Sequence, residues 1–254
     1  PFRNRTAKMA PRAKVRSVMA TLRMQFSWFV VRRWWRLLYL ILVLTAIPSG
    51  AVAQDKLPDT IPIFPLEDVM LFPGMSVPLH IFEPRYKAMI ADALKGNRVV
   101  GMVLLRPGYE KDYERSPSVF TIGCAGVINE VEQLPNGEYN IVLGALTKYR
   151  ITREDASRPY RIAHVTPIVD VVSDADRPAL HARRLRLEEL IRQSGGRTGI
   201  AAAPPNISDE RLVNGMSQLS HIDELDRERL LEAVNPLARA DVLIAILEKS
   251  IAER

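Results

Sequence analysis

The stretch Ile61–Tyr86, IPIFPLEDVMLFPGMSVPLHIFEPRY, constrains the fold more than any other part of the chain. Each of its prolines fixes φ and removes a backbone donor, so neither a long helix nor a regular central sheet can run through it. Two short apolar runs, Ile61–Leu66 and Val69–Phe72, lead into Pro73-Gly74, the pair a type II turn requires. Val77–Phe82 then reads as a strand. Pro62, Pro65 and Pro78 belong at edges, bulges or strand ends, where a missing N–H costs nothing. Glu83-Pro84 opens a helix with Pro at its first position. Its buried face is Tyr86, Met89, Ile90 and Leu94, and Gly96 closes it.

The rest of the chain divides by charge. Residues 1–53 hold ten Lys or Arg and no Asp or Glu. The whole chain has 35 basic and 29 acidic residues, so residues 54–254 keep 25 basic against 29 acidic, a net charge of −4. The basic balance therefore belongs to the leader and does not point to nucleic acid. Arg32, Arg33 and Arg36 precede the apolar run Leu37–Ile47, a Pro48-Ser49-Gly50 breaker and the A-x-A sequence Ala51-Val52-Ala53. These are the parts of a secretory signal peptide, with Gln54 as the mature N-terminus, and a start at Met24 would give it ordinary length. A membrane anchor or an Arg-rich organelle presequence fits the same residues, though the apolar span is short for crossing a bilayer, and a different true start would place the chain in the cytoplasm. The sole cysteine, Cys124, lies in an apolar strand context and reads as a buried, inert thiol.

Val99–Leu105 is a continuous apolar run, which fits a strand buried on both faces. Arg106–Ser118 is polar and reads as a surface loop containing two tyrosines. Phe120–Gln133 and Glu138–Ile151 form a hairpin around Leu134-Pro135-Asn136-Gly137, and Ile162–Val172 is a last strand, pushed toward an edge by Pro167. About six short strands with turns between them suggest a small closed or nearly closed barrel. From Asp174 the periodicity turns helical. Leu180, Leu187, Leu190 and Ile191 mark one helix, stopped at Gly195-Gly196, and 194–206 reads as a mobile linker. Ser208 caps a second helix carrying Leu212, Val213, Met216 and Leu219, Asp226 caps a third, and Asn235-Pro236 starts a fourth. The expected class is α+β. Its divisions are a leader (1–53), a barrel subdomain (54–172) and a helical subdomain (173–254).

The opening string, with its FPG-M, PL-x-IFEPRY and following helix, resembles the N-terminal substrate-binding domain of the Lon protease family, in particular the proteins that carry this domain alone. LLEAVNPLARADVLIAILE resembles the corresponding helices, and the resemblance covers about residues 60 to 254. It implies a compact, PUA-like pseudo-barrel with one helix inserted after the early strands and a helical bundle behind it. It also implies capture of unfolded or tagged polypeptides.

Catalytic signals are missing. The dipeptide Gly-Lys never occurs, so no Walker A loop can cradle phosphates, and there is no S-x-x-K, G-x-S-x-G or H-E-x-x-H. We therefore expect no ATPase or peptidase activity, no cofactor and no metal. His80, His164, His181 and His221 lack ligand spacing. Glu67-Asp68 and Glu130/Glu132 read as solvated carboxylates. Glu83 and Arg85 are expected to pair at the helix start.

Polypeptide binding needs accessible apolar surface and unpaired strand edges. The candidates are Phe72, Met75 and Phe82 around the Pro-interrupted strand, and Leu212 and Met216 in the region Leu212–Leu219, although residues at such spacings are commonly core. Expected partners are unfolded or extended polypeptides and a protease or chaperone, with the membrane touched only through the leader. Two alternatives stand beside this: an RNA-binding PUA-like domain using Lys148, Arg150 and Arg153, and an envelope scaffold.

Overall fold

A computed structural model describes residues 57–253 apart from 114, 156, 195–205 and 220. The leader of residues 1–53, with its expected signal peptide or anchor, lies outside the described residues, as does most of the 194–206 linker. The described residues belong to one compact unit.

Six strands, β1 (Thr60–Leu66), β2 (Ser76–Ile81), β3 (Val99–Leu105), β4 (Val119–Gln133), β5 (Tyr139–Asp155) and β6 (Ile162–Ile168), form one sheet in the order β2-β5-β4-β3-β1-β6. An added β5–β6 pairing closes five of them into a ring. The long β5 makes this possible. Its first half pairs with β2 and its second half with β6, while its other edge follows β4 from Tyr139 to Arg150. The prolines sit where a neighbour is missing. Thr60–Pro62 pairs antiparallel with β6, whereas Ile63–Leu66 pairs parallel with β3. Pro78 lies on β2, which has one neighbour, and Pro167 lies in the part of β6 that pairs only with β5.

The ring explains the unbroken apolar run of β3. Val99 and Val103 face its interior with Ile61, Ile63, Ala125, Ala163 and Val165. Val100, Met102 and Leu104 face the larger cluster that the helices cover. Tyr149 fills the interior, fully buried, and its hydroxyl donates to the Met102 carbonyl (3.0 Å). The ring needs Gly101 and Gly123 beside it, since a Cβ on either would lie 2.7 or 2.5 Å from that hydroxyl.

Helix α1 (Pro84–Lys95) is inserted between β2 and β3, with Pro84 at N1, Gly96 at its C-cap, and Tyr86, Met89, Ile90 and Ala93 buried. Helices α2 (Arg177–Ser194), α3 (Asp209–Ser217), α4 (Glu224–Glu232) and α5 (Pro236–Ala252) follow the barrel. Two caps are those read from the sequence: Ser208 accepts from the Arg211 N–H, and Asn235 from the Ala238 N–H. The architecture is the expected α+β one, but one hydrophobic cluster runs from the outer face of the sheet into all five helices.

Several local readings are corrected. Of the two opening apolar runs only the first is a strand: in the second, Val69–Phe72, the residues Met70, Leu71 and Phe72 are buried in an irregular segment. The last strand stops at Ile168, because Asp170 turns inward to two buried cations. Helix α4 is capped by Asp223, whose side chain accepts from the Leu225 N–H (2.9 Å), and Asp226 instead pairs with Arg229 (2.8 Å). Lys148, Arg150 and Arg153 form no surface cluster. Lys148 is fully buried, 3.1 Å from Asp170, and donates to the Ala233 carbonyl (2.6 Å).

Candidate functional site

The expected turn at Pro73-Gly74 forms: the Met75 N–H donates to the Phe72 carbonyl (3.0 Å) and Gly74 has φ 73°. Helix α3 then pins it. The Asn214 amide donates to the Pro73 carbonyl (2.9 Å), and Gln218 holds the Phe72 N–H (3.1 Å) and the Ser76 carbonyl (3.0 Å). This anchors the start of β2. Because β2 pairs only with β5, its other edge is unpaired among the described residues. Beyond Ile81 the chain releases Phe82, 59% exposed, and enters α1.

A groove of about 610 Å³ lies beside this edge. Its walls include Leu66, Val69, Leu79, Phe82, Tyr109 and Tyr113. The segment after β1 and the loop after β3 supply the side opposite β2. In that loop Tyr109–Asp112 forms a short 3-10 turn, and the Tyr109 and Tyr113 rings lie 6.2 Å apart. Two hydrogen bonds fix the loop. The Tyr109 hydroxyl donates to Glu67, which with burial pushes its pKa up to about 12. The Tyr113 hydroxyl donates to Glu83 (2.8 Å), which Arg85 also pairs (2.9 Å). Arg85 stacks on Tyr86 and Tyr113 and donates to the Tyr113 carbonyl (3.1 Å). The expected Glu83–Arg85 pair thus holds the groove wall as well as the helix start.

The structure separates the five candidate binding residues. Phe72, Leu212 and Met216 are buried, and Met75 is partly buried against the same core. Phe82 alone among them offers a large exposed apolar surface in the groove. The region Leu212–Leu219 clamps the turn through Asn214 and Gln218. Tyr109, Tyr113 and Leu79 were not among the candidates. Two tyrosines in an otherwise charged loop were the available signal, since such side chains seek a surface to pack on.

His80 sits between Asn140 (2.8 Å) and Glu138 (3.0 Å), His164 between Thr60 (3.2 Å) and Arg153 (2.6 Å), and His181 against Asp209 (3.2 Å). They do not converge. Among the described residues no group of three or more His, Cys, Asp or Glu is placed to hold a metal. Cys124 is buried, and burial pushes its thiol up to about 12.

A family model described as the ATP-dependent protease La (LON) substrate-binding domain matches residues 60–249. Lon protease 2 of Myxococcus xanthus is 23% identical over 214 residues, covering 80% of this chain and 25% of that protein. Lon protease 2 of Sorangium cellulosum is 24% identical over 216 residues, 82% of this chain and 27% of that one. The chain thus spans about a quarter of the length of such relatives. Among solved structures, the N-terminal domain of the Mycobacterium avium complex Lon protease superposes with a TM-score of 0.58 at 16% identity, covering 74% of this chain and 98% of that one. A Lon N-terminal domain protein from Xanthomonas campestris gives 0.50 at 20% identity, with 73% and 97% covered.

Proposed function

The chain belongs to the ATP-dependent protease La (LON) substrate-binding domain family, and from that premise we propose that it captures unfolded or extended polypeptide in the groove beside β2 without acting on it chemically. The observation that carries this reading is an unpaired strand edge running along an apolar groove, with Phe82 exposed at its end. Extended chains add to such edges through main-chain hydrogen bonds, and adjacent pockets take alternate side chains. Pro78 removes one donor from the edge, which guards it against indiscriminate pairing with other sheets. A protease or chaperone is the proposed recipient of the captured chain.

No observation favours nucleic acid: Lys148 is buried, and neither Lys nor Arg lines the groove. The test is fluorescence anisotropy of the full chain with a reduced and alkylated, permanently unfolded protein. Its folded form and an RNA oligonucleotide serve as controls, across a salt series. Capture of the unfolded form alone is expected, and Phe82→Ser should weaken it about tenfold, as losing most of one buried aromatic contact would. Absence of capture, or RNA binding that collapses steeply with salt, overturns the proposal.

A further inference from the structure

The groove continues past Tyr109. A second depression shares Glu67, Asp68, Leu105, Tyr109 and Glu110 with it and extends to Asp223, Glu224 and Leu225 at the start of α4. The two together are lined by six carboxylates, Glu67, Asp68, Glu83, Glu110, Asp223 and Glu224, and by no Lys or Arg. Elsewhere many surface carboxylates are paired: Asp92 with Arg158, Glu154 with Arg161, Asp241 with Arg183 and Glu248 with Arg186. In the trough, Glu83 pairs with Arg85 and Glu224 lies 3.7 Å from Arg227. The other four make no ion pair among the described residues. Glu67 accepts only the Tyr109 hydroxyl, and Asp223 caps its own helix. Apolar side chains alternate with these charges, from Phe82 at one end through Tyr109 to Leu225, itself partly exposed, at the other.

A concave surface of one sign focuses its field on whatever enters. A bound chain that carries apolar side chains alone would leave these carboxylates without compensation, and an acidic one would be repelled. Resting on the polypeptide-capture reading above, we propose that the trough selects lysine- and arginine-bearing apolar segments of unfolded chains, the cationic side chains meeting Glu67, Asp68 and Glu110 while aromatic or aliphatic neighbours pack on Phe82, Leu79 and Tyr109. The partner is a cationic, extended peptide.

Three labelled peptides of one apolar scaffold, differing only in carrying Lys/Arg, Gln/Ser or Glu at alternate positions, are titrated against the full chain. The cationic peptide should bind about tenfold tighter than the neutral one, as three exposed ion pairs together would give, and the acidic one weakest. Added salt should bring the cationic affinity down toward the neutral one. In the Glu67→Gln/Asp68→Asn/Glu110→Gln chain the ratio of cationic to neutral affinity should fall to about one. Equal affinities for all three peptides in the unaltered chain overturn this selection while leaving polypeptide capture standing. A cationic preference that survives the triple substitution, or is insensitive to salt, also overturns it. Failure of every peptide to bind sinks the capture reading itself.

Discussion

Glu228 on α4 is 2% exposed, and neither carboxyl oxygen has a hydrogen-bond partner among the described residues. Burial, assisted by the nearby Glu232, pushes its pKa from 4.5 up to about 8. The folded state therefore holds a proton that the unfolded chain gives up near pH 4.5. The stability that this proton carries is intact below that value and is lost progressively as the pH rises toward 8. Glu228→Gln, which cannot ionise, should be close to neutral at pH 4 and stabilising at pH 8, on the order of 1–3 kcal/mol. Melting temperatures of the two chains across that range check this, and a pH-independent difference would remove the explanation. At this scale the sequence was readable where a residue's immediate neighbours decide its state. Cys124 is the buried thiol its apolar strand suggested. It was unreadable where a distant partner decides. Lys148, flanked by Thr147 and Tyr149, looks like any solvated strand lysine, and its carboxylate lies in the segment after β6.

Among the elements, those bounded by local chemistry were legible: Pro84 opening α1, Ser208 and Asn235 capping α3 and α5, and Gly74 turning the chain into β2. The purpose of α3 was not legible, since its amphipathic spacing says only that one face is buried. Its working residues are Asn214 and Gln218, which reach 141 and 146 positions back to the Pro73-Gly74 turn. Asn214 also accepts from Arg239 of α5 (2.6 Å), and Arg239 makes a two-pronged pair with Asp170 (2.8 and 3.0 Å) that Lys148 shares. Barrel, connecting segment and helices are thus tied by one buried anion between two cations. Burial lowers the pKa of Lys148, and Asp170 opposes that. Asp170→Asn would leave two like charges facing each other in the core and should cost about 3–5 kcal/mol, the range for breaking a buried pair. Urea denaturation should show this as a lower midpoint on one cooperative transition. A loss below about 1 kcal/mol, the worth of an exposed pair, or separate transitions for barrel and helices would contradict the tie.

On the scale of the whole molecule, the charge partition was visible from the start: a leader with no carboxylate, followed by residues of net charge −4. We propose that the leader directs export and is cleaved after Ala53, so that mass spectrometry of the exported chain reads Gln54 as its first residue. An intact leader found in the membrane fraction would favour the anchor instead. The barrel itself was half legible. Short strands with turns between them suggested closure, but nothing local says that β5 serves β2 with one half and β6 with the other, because register is settled by tertiary pairing. The interior has a further consequence. With the Tyr149 ring lodged between Gly101 and Gly123 among the interior apolar side chains, the barrel is a filled post. On the capture reading, a bound chain is met outside this post, along β2 and the loop after β3. A substitution there can change what is bound while the post itself stays standing.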